Sequence, residues 1–182
     1  MKHEPITDQP TIVTARFALR PVRNSDCGLI GLYAGDGRVA RFTRSIPHPL
    51  PPGAAEAFIS RARDHRRRED VWVIDGADRG LGEVLGIIAL ERLEPDQSEI
   101  GYWIAPALWN SGIASEAVEG LIHANPHGCR SIVAEAFQDN PASARVLTHA
   151  GFTYLGDAEE WCVAREARVP VWTYIRNLVA GG

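Results

Sequence analysis

Apolar and polar positions follow one another along this chain in a rhythm that changes, and each change marks an element. Residues 11–20, TIVTARFALR, carry β-branched residues in alternation and read as a strand that Pro21 ends. Asn24, Ser25 and Asp26 offer capping side chains to a helix reaching about Tyr33. A second helical unit follows the turn AGDG through Val39 and Ala40. A third, after PHPLPPG, is expected from about Ala54 to Arg68 with Phe58 and Ala62 facing inward. VWVI (71–74), EVLGIIALERL (83–93) and SEIGYWIA (98–105) then read as three strands joined by turns, an antiparallel meander.

After Pro106 the period switches. Ile113, Ala114, Ala117, Val118, Leu121 and Ile122 recur at helical spacing, and Pro126 closes the element. SIVAEAF (131–137) reads as a buried strand. NPASARVLTHAG reads as a helix with Asn140 as N-cap, Pro141 in its first turn and Gly151 past its end. Two strands near 152–162 and 169–176 close the chain. The pattern predicts one α/β domain over residues 1–182, with residues 1–10 a flexible segment. Its sheet is antiparallel early, with one or two βαβ units late and helices on both faces.

Composition narrows the function. With 182 residues, 45% hydrophobic, the chain can bury one substantial core, and a net charge of -4 gives no general attraction to nucleic acid or an anionic membrane. Cys27, Cys129 and Cys162 form no CxxC pair, and neither a signal-like apolar stretch nor a membrane span is present, so a soluble cytoplasmic protein is expected. His123 and His127 stand four apart, but Pro126 lies between them and HExxH is absent, so no metal site is expected. The basic cluster RARDHRRRED (61–70) is read as a solvated last helix turn rather than a nucleic-acid patch.

Chemistry concentrates at WNSGIASEA (109–117), where a strand hands over to a helix. The free amides of Asn110 to Ala114 leave the helix N-terminus with the positive end of its dipole behind them, and Gly112 and Ala114 present almost no side chain. A diphosphate could reach such a backbone directly, although glycine for close packing at a plain helix start accounts for the same residues. Neither a P-loop nor a Rossmann fingerprint follows a strand; GDGRVA (35–40) fits G-x-G-x-x-A but follows a helix.

Two longer stretches carry a resemblance. SEIGYWIAPALWNSGIASEAVEGLI followed by AEAFQDNPASARVLTHAGFTYLGD resembles the cofactor-binding half of GNAT superfamily N-acetyltransferases of the RimJ/RimL type. TARFALRPVRNSD, VARFTRSIPHP and AEAFISRA are similar to that group's opening strand and acceptor-side helices. The resemblance implies a mixed, mostly antiparallel sheet whose central strands splay around the pantetheine arm of acetyl-CoA. The arm would pair with strand backbone around Trp103 and Ile104. The diphosphate would lie on the amides of Asn110, Ser111, Gly112, Ile113 and Ala114, and Asn140 would face the thioester as well as capping its helix.

An amine must be neutral to attack a thioester, yet an α-amino group (pKa ~8) or a lysine (~10.4) is largely protonated at neutral pH. Glu99, on a predicted central strand, is the expected base, with Glu91 a weaker rival. The tyrosine that many GNAT enzymes use to meet the departing thiolate has Leu147 at its position here, and the resemblance puts Ser143 in that role. The expected activity is acetyl transfer from acetyl-CoA to a peptide N-terminus or small amine in a ternary complex, without metal or nucleic acid, by a monomer or homodimer. A catalytically silent acyl-CoA-binding domain of the same fold is the alternative.

Overall fold

A computed structural model of the chain describes residues 9–178. Its elements are β1 (Ile12–Val13), β2 (Ala18–Pro21), α1 (Cys27–Ala34), α2 (Gly37–Ala40), α3 (Ala54–Ala62), β3 (Glu69–Asp75), β4 (Gly86–Glu94) and β5 (Gln97–Ile104). They continue as α4 (Ile113–Ala124), β6 (Ser131–Phe137), α5 (Pro141–His149), β7 (Thr153–Cys162) and β8 (Ala167–Asn177). One eight-stranded sheet runs in the order β1-β2-β3-β4-β5-β6-β8-β7. Every neighbouring pair is antiparallel except β5–β6, so a single βαβ unit, β5–α4–β6, is present.

Strand alternation feeds two cores. Trp72 and Ile74 on β3, with Ile88 and Leu90 on β4, meet Ile113, Ala117, Val118 and Leu121 of α4 and Leu147 of α5 on one face. Val71 and Val73, with Ile87, meet Ile30 of α1 and Ile59 and Ala62 of α3 on the other. Removing a large side chain of this kind from water contributes about 1.5–3 kcal/mol, and helices supply that burial to both sides of the sheet.

Four local expectations are corrected. The strand read over 11–20 is a hairpin of β1 and β2, because the turn between them is claimed by α4: the Glu116 carboxylate accepts from the Thr14 hydroxyl at 2.7 Å, the Arg16 amide at 2.9 Å and Arg16 Nε at 2.7 Å. The helix read to Arg68 stops at Ala62. There the Asp64 carboxylate accepts the Arg66 amide at 2.8 Å, and the Asp64 carbonyl accepts the Arg67 amide at 3.1 Å, a turn that competes with helix. The basic cluster therefore begins in the last turn of the helix with Arg61 and continues mainly as the turn after it. Of the segment read as flexible, Gln9 and Pro10 are tied to β3 through Val71 O at 2.7 Å and Trp72 Nε1 at 2.8 Å; residues 1–8 lie outside the described chain. Finally, Asn140 occupies the N-cap of α5 but its side chain makes no cap hydrogen bond.

Two buried polar groupings brace the sheet. Arg20 on β2 donates to both Asp26 oxygens at 2.8 and 2.9 Å and to Asp75 at 2.6 Å. Burial alone would push the Asp26 carboxyl up, but the Arg20 hydrogen bond and the Arg23 amide hold it below the ordinary range. On β3, Asp70 takes Arg67 Nε and His127 Nε2 at 2.8 Å each, and His127 Nδ1 lies 2.8 Å from Ser98 Oγ on β5. The Ser-His-Asp order suggests a nucleophile relay, yet Ser98 is 0% exposed, and the group acts as a strut from β3 through β5 to the loop before β6.

Replacing Arg20 by Met leaves two carboxylates near it without their cation. We expect a loss of about 3 kcal/mol in a urea unfolding titration, the cost typical of removing one member of a buried pair. A loss below about 1 kcal/mol would show that the cluster is not a brace.

Candidate active site

Strands β5 and β6 pair only at Gln97–Ser131, Ser98–Ile132 and Glu99–Val133. Beyond that point β5 continues along β4 as far as Gly86–Ile104, and β6 continues along β8 as far as Phe137–Val171. A gap therefore opens inside the sheet and leaves strand backbone without a strand partner, which normally costs stability unless something occupies it. A cavity of about 880 Å³ runs through this gap, lined from β5, β6, α4, α5 and the loop after α2.

The pleat decides which backbone groups face the gap. Ala105 N–H donates to Leu85 O at 2.9 Å, and the Trp103 carbonyl lies against Gly86, 2.3 Å from where a Cβ would stand. Residues 101 and 103 thus turn their backbone toward β4, and Tyr102 and Ile104 turn theirs to the gap. The Trp103 backbone thus points to β4 and its indole packs against the α1/α3 core, while Tyr102 turns backbone to the gap. The Ile104 carbonyl accepts Trp109 Nε1 at 2.8 Å.

At one end of the gap stands the N-terminus of α4. Asn110 and Gly112 both have positive φ, 60° and 78°, conformations that suit these two residue types and turn successive amides to one side. No side chain caps the helix. Ser111 turns its hydroxyl back onto the Leu108 carbonyl, and Arg16 Nη1 holds the Ser111 carbonyl at 2.9 Å. Ile113 is buried beneath the first turn, and Ala114 is half-buried at the cavity wall. What remains for a ligand is bare amide, which suits a polyanion.

The two faces of the sheet give the cavity two chemistries. Toward α5, Tyr102 Oη lies 2.8 Å from Ser143 Oγ. Burial raises the Tyr102 phenol to about 12, against the hydrogen bond it shares with Ser143, so it stays protonated; either hydroxyl can be the donor of that bond. With Tyr102 as the donor, the serine hydroxyl is free to donate onward. The Asn140 side chain, uncommitted as a cap, lines the same wall, while Leu147 is fully buried.

Toward α1 and α3 the lining is charged, with Glu69, Glu99 and Glu135 set among Arg38, Arg44 and Arg61. Glu99 is ion-paired with Arg44 Nη2, and Arg44 Nη1 stands 3.7 Å from Glu135 Oε2, an oxygen buried with no hydrogen-bond partner. Burial pushes the Glu135 carboxyl up to about 7; Arg44 opposes this, and Glu160 and Glu99 add to it. Glu91 is the β4 neighbour of Glu99, one strand further from the gap. Arg44 owes its place to the backbone of its loop: Val163 N–H donates to Arg44 O at 3.0 Å, Cys162 Sγ to Thr43 O at 3.2 Å and Arg165 Nε to Arg41 O at 2.7 Å.

Glu99, Ser143, Asn140, Ile104 and residues 110–114 all line this one cavity, with the Trp103 side chain at its edge. Sequence reasoning passed over Tyr102, Arg44 and Glu135. The signal for Glu135 was a lone acid in the apolar run SIVAEAF; Arg44 sits in a loop, where no periodicity assigns direction. Asp36 of GDGRVA caps α2 by accepting the Arg38 amide at 2.9 Å. His123 is exposed and His127 belongs to the strut, and among the described residues no group of three His, Cys, Asp or Glu side chains could hold a metal ion. Among those residues, too, no helix is long and apolar enough to cross a membrane.

Residues 16–153 match the family described as an acetyltransferase (GNAT) domain. Over 78 residues the chain is 37% identical to the ribosomal-protein-serine acetyltransferase of Escherichia coli (strain K12), a stretch covering 41% of this chain and 44% of that one. The matched stretch thus spans less than half of that relative. The fold is similar to that of RimL, a ribosomal L7/L12 alpha-N-protein acetyltransferase in complex with coenzyme A. The TM-score is 0.78 over 94% of this chain and 100% of that chain, at 18% identity. It is similar also to spermidine N-acetyltransferase from Vibrio cholerae in complex with CoA and spermine, with a TM-score of 0.75 over 89% of this chain and 95% of that chain, at 15% identity.

Proposed function

This chain belongs to the GNAT acetyltransferase family, and from that premise we propose that it binds acetyl-CoA in the gap between β5 and β6 and transfers the acetyl group to a primary amine by direct attack in a ternary complex. The observation that carries the reading is that β5–β6 pairing ends at Glu99–Val133 while an uncapped helix N-terminus stands at the mouth of the opening. An extended amide-bearing arm fits the backbone of Tyr102 and the amide of Ile104, which have no strand partner, and a diphosphate fits the amides of residues 110–114. Acetyl-CoA, when bound, supplies a thioester carbonyl open to a nucleophile and a thiolate that can leave.

The chain's own groups divide the work by face. On the charged side, Glu99 and Glu135 face the place an ammonium must enter, and a carboxylate there attracts the cation and can take its proton. On the other side, Ser143, with Tyr102 donating into it, presents a hydroxyl to developing negative charge on sulphur. Asn140 is free to hold an amide or carbonyl of the ligand on that same wall. Next to Arg44 the carboxylates Glu99, Glu135 and Glu160 are close together, which favours an acceptor that brings positive charge to that spot, while Arg38 and Arg61 elsewhere on the lining can meet negative groups of the same acceptor. RimL and the Vibrio cholerae spermidine enzyme, whose names specify a protein α-amine and a polyamine, bracket the acceptors worth trying.

Saturating acetyl-CoA is expected to raise the melting temperature, since a ligand that binds only the folded state must stabilise it. Gly112→Val places a β-branched side chain at φ 78° and should abolish most of that shift; an undiminished shift would return WNSG to an ordinary helix start. With an active amine, Ser143→Ala should lower kcat roughly 10- to 150-fold, the equivalent of about 1.5–3 kcal/mol for a hydrogen bond to a charged group, and Tyr102→Phe should lower it less. Stabilisation by acetyl-CoA without thioester cleavage over a panel of peptides, polyamines and small amines would assign the chain to binding alone.

A further inference from the structure

On the face of the sheet that α1 and α3 cover, neighbouring cross-strand pairs of β4 and β5 differ sharply in size. Ile87 faces Trp103, Ala89 faces Gly101, and Glu91 faces Glu99. Alternation puts all of them on one side, where Ile87, Ala89 and Trp103 pack with the α1/α3 core. The middle pair has almost no side chain, so it forms the floor of a notch between an aromatic wall and a carboxylate wall. At about 3.4 Å per residue the two walls stand roughly 13–14 Å apart along β5, room for a ring between the side chains that bound it.

Gly101 lies in the interior of a central strand, yet it is exposed, and a Cβ on it would meet nothing within 4 Å. A glycine there gives up packing and backbone restraint, and such a position suits the close approach of a ligand. The elements packed on this face give the cavity an apolar cover. α3 contributes Ala55 and Phe58, and the loop after α2 contributes Ile46 and Leu50. All four are half-buried, held by their neighbours while part of each surface stays open.

We propose that this notch is an acceptor subsite for a large apolar group, and that the chain's acceptors are small primary amines carrying an aromatic ring or branched chain close to the nitrogen. This rests on the transferase reading above. The apolar group lies on Ala89 and Gly101 between Trp103 and Phe58, where aromatic neighbours add to the gain from burial. Charge sets the direction of entry: Glu99 and Glu135, on the same face, draw the ammonium to their end, and the uncharged end receives the rest of the molecule. A linear polyamine brings a second ammonium to the apolar end, where it loses water and finds no carboxylate. An amine with a small side chain leaves the notch to solvent and gains nothing from it. The cavity of about 880 Å³ also has to hold the pantetheine arm, which leaves space for a compact amine.

The test compares phenethylamine with ethylamine, which differ by the ring alone, in the full chain with acetyl-CoA saturating. Wild type should show kcat/KM about 10- to 100-fold higher for phenethylamine, the ratio expected from burying a ring, with most of the difference in KM. Ala89→Leu fills the notch and should bring that ratio to within about threefold. Ala89→Val adds less volume and suits a strand, so it should bring the ratio part of the way and keeps the test open where the leucine variant fails to fold. The melting-temperature shift with acetyl-CoA reports whether each variant is folded. A second readout needs no turnover: in CoA-saturated wild type, phenethylamine should raise the melting temperature at concentrations where ethylamine does not, and it should do so less in Ala89→Val. A wild-type ratio within about threefold overturns the subsite and leaves the transferase reading standing. So does a ratio that both Ala89 variants leave unchanged, or a higher kcat/KM with spermidine or a Ser-initiated peptide than with phenethylamine. Wild type inert toward every amine overturns the transferase reading, and the thermal shift with phenethylamine then decides the subsite by itself.

Discussion

A parallel strand pair that stops after its third residue pair is the constraint on which the rest of this molecule depends. Had β5 and β6 zipped to their ends, Ile100 to Ile104 and Ala134 to Phe137 would have satisfied one another's backbone and filled the cavity. Instead each strand spends its second half on an outer neighbour, β4 or β8, and the inner edges diverge. The opening connects the two faces of the sheet, which helices otherwise keep apart. That connection brings the Glu99–Arg44–Glu135 charges of one face and the Tyr102–Ser143 hydroxyl pair of the other to a single cavity.

An opening of this kind must be braced where it closes and where it widens. At the closed end the Asp70–His127–Ser98 strut ties β3, β5 and the loop entering β6 together in a buried place, where the hydrogen bonds from His127 and Arg67 offset the cost of burying the Asp70 carboxylate. At the wide end Arg165 does comparable work. It pairs with Asp139 at 2.7 Å, lies 5.2 Å over both the Phe42 and Phe137 rings and donates to the Arg41 carbonyl, and so joins the β7–β8 turn to the loop before α5 and the loop after α2.

Much of this could be read from residues, and the failures share a cause. The helical spacing from Ile113 to Ile122 and the run SIVAEAF gave α4 and β6 with correct bounds because packing follows period. The WNSG stretch announced itself through the bare backbone of Gly112 and Ala114 where a strand hands over to a helix, and the structure adds that Asn110 and Gly112 adopt positive φ there. What escaped was decided by groups distant in sequence. Thr14 and Arg16 turn because Glu116 binds them from about a hundred residues away. Asn140 was assigned a capping bond from residue type alone, and its side chain instead lies along the cavity. Glu135 was read only as part of a buried strand, and it comes to line the cavity because β6 parts from β5 two residues before it. The gap was legible only through resemblance, since periodicity locates a strand but is silent on where its partner leaves it.

The anchoring of the loop after α2 has an evolutionary consequence. Its hold on β7 and the β7–β8 turn runs largely through backbone atoms, the carbonyls of Arg41, Thr43 and Arg44. Side chains at 43, 45 and 46 can therefore be exchanged with little change in where the chain itself runs, whereas Phe42 packs under Arg165 and Arg44 is ion-paired, and all five residues line the cavity. The wall opposite works by bare amides and strand backbone, where side-chain identity matters little except for smallness. One half of the cavity is thus free to drift toward new acceptors while the other stays committed to one donor, a division that lets a single scaffold diversify its substrates by a few loop substitutions.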